Sequence, residues 1–225
     1  MKKVVLLSGG IDSTTCLALA LQGRKPEDIL AVNMYYGQKH QREMQSARDV
    51  AKWYGVELME LDLSAIFAKS DCSLLKHSTQ AVPEGSYAEQ QQEREGRPVS
   101  TYVPFRNGLM LSAAASIAVS VGAGEVWYGA HADDAAGNAY PDCSVEFTKA
   151  MDSAIYKGTG ESVVIVAPLV ALNKAGVVKE GIRLNAPYHL TWSCYEGGDH
   201  PCGKCGTCID RAKAFEANGQ IDPVQ

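Results

Sequence analysis

The sequence contains no apolar run of the roughly 20 residues that a membrane-spanning helix requires. The apolar stretch within residues 1–7 is too short for the hydrophobic region of a secretory signal, and no cleavage site of small residues follows it. These absences argue against a helical membrane protein and against export. We therefore expect a soluble, cytoplasmic protein of 225 residues with room for one sizeable core and a small appendage.

A surplus of basic residues is also missing, since 21 lysines and arginines stand against 26 aspartates and glutamates, giving a net charge of −5. Proteins that bind a nucleic-acid backbone usually carry a basic surplus, because contacts with phosphates dominate their affinity. We therefore predict a small-molecule substrate, with no nucleic-acid and no membrane partner.

The cysteines lack the pattern of a secreted disulfide scaffold, which has an even number of them in a shorter chain. Seven are present, and four of them crowd into residues 194–208. In a reducing compartment this crowding indicates a metal site. We assign the other three to packing or loop positions: Cys16, Cys72 and Cys143.

Short apolar runs alternate with helical patterns along most of the chain. Strands are predicted at 2–7, 29–34, 56–61, 125–129 and 163–167. Helices are predicted from residue 11 and at 38–54, 105–121, 145–156, 173–184 and 208–217. Strands separated by helices predict an α/β fold, a doubly wound, Rossmann-like parallel sheet whose ligand lies at the carboxyl ends of the strands.

Residues 69–99 interrupt this regularity, because they are polar, contain proline and glycine, and show no period. Segments of this length are usually functional or disordered, and we expect a mobile loop or lid. The predicted organisation is a nucleotide-binding domain over residues 1–186, followed by a small metal-binding segment with a closing helix over residues 187–225.

The first strand-to-helix turn has the residues that an anion site needs. Paired glycines let a phosphate approach the main chain, and the following helix directs free N–H groups and its positive dipole end at that anion. Asp12 fits beside phosphates if it binds Mg²⁺. A Gly-Gly turn with an aspartate cap is the alternative without a ligand. We predict ATP, with Mg²⁺, at Ser8, Gly9, Gly10, Ile11, Asp12, Ser13 and Thr14.

This turn differs from the phosphate loop that ends in Gly-Lys-Ser/Thr and from the dinucleotide fingerprint. It resembles the signature of the PP-loop ATP pyrophosphatase superfamily, which has the adenine nucleotide alpha-hydrolase-like fold. The resemblance implies that the outer two phosphates of ATP are held, so that attack on the α-phosphorus yields an adenylate and pyrophosphate. Lys174 opens a helix, from which it can reach phosphates or solvent. The predicted catalytic residues are Asp12, Ser13 and Lys174.

The clustered cysteines have the spacing C-x7-C-x2-C-x2-C: Cys194, Cys202, Cys205 and Cys208. Two residues between cysteines allow a tight turn to present both sulfurs to one ion, and four thiolates suit tetrahedral Zn²⁺ with no vacant position. We predict one structural zinc ion per chain, which orders a segment too short for a core of its own. An iron–sulfur cluster, a redox dithiol and His200 as a replacement ligand are the alternatives.

Two motifs in the middle of the chain carry candidate substrate contacts. The planar fork of Arg106 can bind a phosphate or a carboxylate, or it can be a surface charge at a helix start. Asp142 can accept paired N–H bonds from a guanine-like ring edge or cap a helix, and Tyr140 can stack on a ring. Asp133 and Asp134 are expected in a solvated turn. The predicted substrate contacts are Arg106, Asn107, Tyr140 and Asp142.

Six motifs together cover nearly the whole chain: SGGIDS, YYGQKH near 35–40, VPFRN at 103–107, YPDC at 140–143, APLVALNKAGVV at 167–178 and TWSCYEGGDHPCGKCGTC at 191–208. They resemble the 7-cyano-7-deazaguanine synthase family of the queuosine-precursor pathway. Residues 69–99 lie outside the resemblance, and GNAYPDCS departs from the SGYPDCR typical of the family. The resemblance implies an ATP-dependent ligase that converts 7-carboxy-7-deazaguanine and free ammonia to the 7-nitrile, with a four-cysteine zinc site and commonly a homodimer.

Other functions remain as alternatives. A tRNA sulfur-transfer enzyme of the same superfamily would require a basic RNA-binding appendage and a catalytic cysteine near ATP. A non-catalytic adenine-nucleotide sensor would bind ATP without releasing pyrophosphate. A zinc-ribbon nucleic-acid binder would leave SGGIDS unexplained.

Overall fold

The computed structural model of the protein describes residues 2–86, 89–90 and 97–224. Its centre is a parallel sheet in which five strands have the order β3-β2-β1-β4-β5. The strands are β1 (Lys2–Leu6), β2 (Ile29–Tyr35), β3 (Glu57–Asp62), β4 (Ala123–Trp127) and β5 (Val164–Val166). Each strand lies where a short apolar run predicted it, because both faces of this sheet are covered.

Helices cover the two faces of the sheet. They are α1 (Ile11–Ala20), α2 (Arg42–Tyr54), α3 (Arg106–Val121), α4 (Ala132–Ala135), α5 (Val145–Gly158), α6 (Lys174–Arg183) and α7 (Gly206–Glu216). Successive strand residues point to opposite faces. Val4 therefore belongs to the core that contains Leu111 of α3, whereas Val5 belongs to the core that contains Leu17 of α1 and Val50 of α2. This arrangement confirms the predicted doubly wound α/β fold.

The order of the strands creates a switch point between β1 and β4. From β1 the chain runs outward through β2 to β3, and it then returns to the other side of β1 to form β4 and β5. Loops that follow β1 and β4 therefore diverge to opposite faces and leave a crevice at the carboxyl ends of these strands. Residues 8–10 and 128–131 border this crevice.

The second helix is shorter than its prediction of residues 38–54, because α2 begins at Arg42. The residues before it are held in an extended connection. The backbone N–H of Tyr36 donates to Oε1 of Gln38 over 3.0 Å, and Gln38 forms an isolated antiparallel bridge with Leu75. These contacts hold the residues before Arg42 in an extended conformation, and the helical periodicity of the sequence does not reveal them.

The described part of residues 69–99 packs on the rest of the protein. Leu75 is fully buried in a small core with Tyr36, Phe67 and Val103. Further along, Glu84 forms an antiparallel bridge with Cys205, and the N–H of Gly85 donates to the carbonyl of Lys204 over 3.0 Å. The predicted lid also includes residues 87–88 and 91–96, which lie outside the described residues.

The C-terminal segment is attached to the sheet through α7. Phe215 and Ala214 belong to the same core as α1 and α6. None of the helices within the described ranges is both long enough and apolar enough to span a membrane.

A buried ion pair closes the C-terminal segment. Arg211 of α7 binds Asp222 at 2.6 and 2.8 Å, and both residues are 4% exposed. The same guanidinium donates to Oγ1 of Thr191 at 2.9 Å and to the carbonyl of Tyr188 at 3.3 Å. One side chain thus joins α7, the chain terminus and the turn that precedes the cysteines.

We predict that Arg211→Met lowers the free energy of unfolding by about 3–5 kcal/mol, because Asp222 is then left as a buried charge without its partner. Chemical denaturation monitored by circular dichroism measures this loss. Arg183→Met is the matched control, since Arg183 pairs with Glu180 on an exposed helix face. Equal effects of the two substitutions would contradict the role of the Arg211 network.

Candidate functional site

The loop between β1 and α1 is shaped by Gly9. This residue has φ +92°, and a Cβ atom on it would lie 2.3 Å from the carbonyl oxygen of Glu43 and 2.6 Å from the amide nitrogen of Ala47. Both the backbone conformation and the contact with α2 therefore require glycine. Gly10 follows in an extended conformation as the N-terminal cap of α1. The positive end of α1 consequently faces the crevice.

Serine hydroxyl groups hold this loop in place. The N–H of Ser8 donates to Oγ of Ser13 over 3.1 Å, the two hydroxyl oxygens lie 3.0 Å apart, and Oγ of Ser13 donates to the carbonyl of Gly10 over 3.2 Å. Such a preformed loop at a helix N-terminus suits an anion.

The predicted ATP contacts divide into two groups. Ser8, Gly10, Asp12 and Ser13 line the cavity. The others shape the loop from behind, because Gly9 contacts α2 while the side chains of Ile11 and Thr14 are fully buried.

Asp12 belongs to a network of four charged or polar side chains. Its carboxylate binds Nζ of Lys174 at 2.6 and 2.8 Å, and Nε2 of His131 lies 3.6 Å from Asp12 and 3.3 Å from the carboxylate of Asp134. The structure thus brings together the predicted catalytic residues Asp12 and Lys174, which are separated by 162 positions. Ser13 follows Asp12 in the first turn of α1 and also lines the cavity.

The charges in this network stabilise one another. Burial alone would raise the pKa of Asp12, but the charges of Lys174 and His131 outweigh burial, and the pKa of Asp12 lies below its usual value. Burial would likewise lower the pKa of Lys174, but Asp12 and Asp134 outweigh it and raise that pKa. Lys174 therefore stays cationic beside the loop, as a phosphate-binding lysine must.

His131 and Asp134 are functional candidates that sequence reasoning missed. The prediction of a solvated turn is wrong, because both Asp133 and Asp134 lie in the short helix α4 and line the cavity. Asp133 is exposed and accepts the N–H of Lys174 over 2.7 Å, whereas burial raises the pKa of Asp134. His131 is only 3% exposed. Their place directly after the fourth predicted strand was the available signal.

A second cluster of charged and aromatic groups lines another part of the cavity. The guanidinium of Arg106 lies 4.8 Å from the centre of the Tyr36 ring. Glu43, Tyr140 and Tyr195 line the same space. Burial opposes the charge of Arg106, but the surrounding tyrosines and Asp142 outweigh it and raise its pKa. This part of the cavity therefore presents a cation and aromatic rings to a ligand.

Three of the four predicted substrate contacts line the cavity: Arg106, Asn107 and Tyr140. Asp142 is buried behind them. One of its carboxylate oxygens accepts the N–H of Asn107 over 2.9 Å, and its carbonyl accepts the Asn107 side-chain amide over 3.2 Å. Asp142 thus caps the first turn of α3, while Ser144 caps the helix that follows it in sequence.

Cys143 also lines this part of the cavity. Its sulfur accepts the side-chain amide of Asn107 over 3.1 Å, and burial raises its pKa well above the ordinary value. The protonated thiol is a poor nucleophile, because the thiolate is the reactive form. Cys143 is therefore consistent with the packing role expected for it.

The four clustered cysteines form a compact group at the start of α7. Their sulfur atoms all lie within 4.8 Å of one another, and those of Cys202 and Cys208 are 3.9 Å apart. A tetrahedral zinc ion with Zn–S bonds of about 2.3 Å separates its sulfurs by about 3.8 Å. The group therefore has the dimensions for a single ion, whereas an iron–sulfur cluster spreads its cysteines further apart.

Backbone N–H groups support these sulfurs. Cys194 accepts from the N–H of Cys202 over 3.3 Å, and Cys202 accepts from the N–H groups of Lys204 and Cys205 over 3.4 Å. The hydrogen bond between Cys205 and Cys208 lowers the pKa of Cys205 and raises that of Cys208, so this pair shares one proton more readily than it holds two. Such donors favour thiolates, the form that binds metal. Within the described residues, the group that could hold a metal ion consists of these four cysteines and does not include His200.

Two solved structures illustrate the similarity in fold. NMN synthetase from Francisella tularensis matches with a TM-score of 0.52 at 17% identity, covering 97% of this chain and 77% of that protein. The U34-tRNA thiolase NcsA from Methanococcus maripaludis, solved with its [4Fe-4S] cluster, has a TM-score of 0.53 at 16% identity and covers 87% and 61%. At these identities the likeness establishes the fold alone.

Relatives in sequence are much more similar. The 7-cyano-7-deazaguanine synthase of Archaeoglobus fulgidus is 46% identical over 100% of this chain and 90% of its own. That of Marinobacter nauticus is 42% identical over 98% of this chain and 95% of its own. The family model described as queuosine biosynthesis protein QueC matches residues 2–219. The chain is therefore a member of the QueC family of queuosine biosynthesis proteins.

Proposed function

We propose that the protein is a 7-cyano-7-deazaguanine synthase, an ATP-dependent ligase that converts 7-carboxy-7-deazaguanine and ammonia to 7-cyano-7-deazaguanine. Relatives with this name match essentially the full chain. The observation that carries the proposal is that one cavity is lined both by the loop after β1 with Lys174 and by Arg106 with Tyr140. A nucleotide and a planar acid can meet within such a cavity.

The chemistry begins with adenylation of the substrate carboxylate. A carboxylate does not react with ammonia directly, because oxide would have to leave. One carboxylate oxygen therefore attacks the α-phosphorus of ATP and expels pyrophosphate. Ammonia then attacks the acyl adenylate, AMP leaves and the amide forms with loss of a proton. The amide oxygen then attacks the α-phosphorus of a second ATP and expels pyrophosphate, and loss of AMP and of both protons on nitrogen gives the nitrile in the same site.

The residues of the chain position and stabilise the reacting groups. Backbone N–H groups at the start of α1, with the hydroxyl groups of Ser8 and Ser13, hold the outer phosphates. Lys174 places a fixed positive charge beside the α-phosphorus, where charge develops in the transition state. Asp12 orients Lys174 through both carboxylate oxygens. Catalysis rests on proximity and charge rather than on a covalent nucleophile.

The substrate is held in the part of the cavity around Arg106. Arg106 faces its oxygen atoms, Tyr140 provides an aromatic surface and Asn107 provides a polar edge. In this proposal Asp142 acts on the substrate through Asn107, whose backbone N–H and side-chain amide it binds. The protonated state of Cys143 disfavours sulfur transfer, the alternative predicted above, since that reaction requires a reactive thiolate.

Two metal ions complete the proposal. Oxygen ligands suit Mg²⁺, which neutralises phosphate charge, and the carboxylates of Asp12 and Asp134 are the groups that would bind it. Zn²⁺ would bind the four cysteines and order the segment around them, and the sulfur separations and N–H donors support this choice. We further propose a cytoplasmic homodimer that acts on small molecules and binds no nucleic acid.

We predict that the protein, ATP, ammonium and 7-carboxy-7-deazaguanine labelled with ¹⁸O in the carboxylate yield the nitrile and AMP that carries the label. Mass spectrometry of the nucleotides measures its position. Label found only in inorganic orthophosphate would contradict adenylation, because a phosphorylated intermediate would then have formed.

We expect Asp12→Asn and Ser13→Ala each to lower kcat/KM by roughly 100-fold or more while the fold is retained, since both remove groups that organise the reacting phosphate. Ser116→Ala, on an exposed face of α3, is the matched control for the loss of a hydroxyl group. Retained turnover in both site variants would show that the loop after β1 is not the reaction centre.

We predict one zinc ion per chain by mass spectrometric metal analysis, and its loss in Cys205→Ser together with a fall in thermal stability and solubility. The loss follows because three sulfurs leave the tetrahedral site incomplete. Cys72→Ser is the control, as that buried cysteine lies outside the cluster. A metal-free Cys205→Ser protein that stayed folded and fully active would refute a structural zinc ion, and stoichiometric iron would replace zinc as the metal.

A further inference from the structure

Glu43 is an acidic group of the cavity that the reaction described above does not use. It lies in the first turn of α2, where its carbonyl oxygen contacts Gly9, and its side chain lines the cavity. Among the described residues, no side chain or N–H group donates a hydrogen bond to its carboxylate, and no cation lies within ion-pair distance of it. A half-buried carboxylate without donors is unfavourable unless a ligand supplies them.

Arg106 is the group that complements Glu43. It affects the ionisation of Glu43 electrostatically without forming an ion pair with it. Within the described part of the chain, its guanidinium also forms no ion pair with any other carboxylate, although it stacks over Tyr36. A carboxylate and a guanidinium that face one cavity separately suit a ligand with donors and an acceptor on the same edge.

Of the other acidic groups near the cavity, Asp210 is under the electrostatic influence of Lys174, Asp133 and Asp134, and the remaining ones are engaged in hydrogen bonds or ion pairs. Asp12 binds Lys174, Asp134 contacts His131, and Asp133 accepts the N–H of Lys174, all around Lys174. Asp142 accepts the N–H of Asn107 and lies behind the cavity wall. Glu43 is therefore the carboxylate available on the side of Arg106 and the tyrosines.

We propose that Glu43 recognises the 2-aminopyrimidinone edge of the substrate, an inference that rests on the proposed function and assigns the ring-binding residue within it. Its two oxygens accept the ring N–H and one N–H of the exocyclic amine. Arg106 donates to the ring carbonyl, which is adjacent to that ring N–H and on the same side as the 7-carboxylate. Two parallel N–H···O bonds to a carboxylate give both strength and geometric specificity.

This assignment makes Glu43 a determinant of specificity. A ring without the exocyclic amine leaves one carboxylate oxygen without its donor, and an adenine-type edge places an acceptor where a donor is required. Unpaired polar groups inside a site are costly, so a site built on such bonds rejects these rings.

We expect Glu43→Gln to raise KM for 7-carboxy-7-deazaguanine by roughly 10- to 100-fold, a factor typical of a lost bidentate contact with a base. KM for ATP should change by less than about threefold, because the phosphate-binding groups are unaltered. Glu43→Asp, which keeps the charge, should recover part of the affinity. Glu57→Gln, at an exposed position of β3, is the matched control.

A substrate analogue without the exocyclic amine separates ring recognition from other roles. The natural protein should lose at least tenfold in kcat/KM on this analogue, whereas Glu43→Gln should lose little more, because the two changes remove the same interaction. Equal losses for both proteins would overturn the assignment. A fall in kcat alone, with KM unchanged on either substrate, would show proton transfer instead and would also overturn it.

Calorimetric titration with 7-carboxy-7-deazaguanine keeps this inference distinct from the proposed function. Natural protein that binds the acid but forms no nitrile would refute the activity, and weaker binding by Glu43→Gln would still support ring recognition. Unchanged binding by Glu43→Gln would refute ring recognition whether or not nitrile forms.

Stability should depend on pH through the same side chain. Burial raises the pKa of Glu43 to about 7 from 4.5, with Arg106 acting in the opposite direction and Tyr36 as the other ionisable group facing it. Between pH 4.5 and 7, Glu43 is ionised in the unfolded chain but protonated in the folded protein. Its contribution to the free energy of unfolding is therefore fully present at low pH and is lost as the pH rises through 7. Glu43→Gln should therefore raise Tm more at about pH 8 than at about pH 5. A pH-independent difference in Tm would contradict the buried position of this carboxylate.

Discussion

Segments far apart in the sequence meet at the backbone of Gly9. The absence of a side chain lets the first turn of α2 approach within contact distance, and the carbonyl of Gly9 accepts the N–H of Trp192 over 3.0 Å from the C-terminal segment. The loop after β1 is therefore fixed by the second crossover on one side and by the approach to the cysteines on the other. Its serine hydroxyl groups and the end of α1 are preorganised because this contact leaves the loop little freedom.

Charge divides the crevice into two regions with different tasks. Around Lys174 the carboxylates are paired with cations, and their mutual attraction keeps the groups ionised in a partly buried place. Around Arg106 and Glu43 opposite charges share a space without direct pairing. The first region suits a polyanion whose charge must be balanced, and the second suits a planar heterocycle whose edge presents donors and an acceptor.

Local chemistry made most of the fold and much of the site predictable from the sequence. Buried parallel strands give continuous apolar runs, the glycine pair marks a close approach of backbone, and cysteine spacing reports a turn around one ion. What escaped prediction depends on side-chain direction after folding. In the sequence, Glu43 looks like any charged residue of a polar helix. In the structure, α2 packs against Gly9, and this contact places Glu43 beside the cavity.

His131 and Asp142 also depend on contacts that form only on folding. No sign of the partners of His131 is present in the sequence, nor any sign that α3 would bind Asp142. His131 carries no distinctive spacing, and it acquires partners because β4 ends beside α1, where Gly129 allows the backbone of Asp12 to approach within 2.8 Å of the Cβ position. Asp142 seemed suited to a ligand, but α3 packs beside it and supplies an N–H group first. Tertiary packing determines whether a backbone N–H group or a ligand binds such a carboxylate, and a local sequence pattern cannot predict this.

The bridge between Glu84 and Cys205 extends the influence of the cysteine cluster beyond its own segment. Val82 packs with Trp192, Tyr195 and the cysteines, and both aromatic residues line the cavity. This wall of the cavity is thus anchored on the turn that carries the four cysteines. Disorder in that turn would therefore loosen this wall and, through Trp192, one of the two contacts that fix the loop after β1.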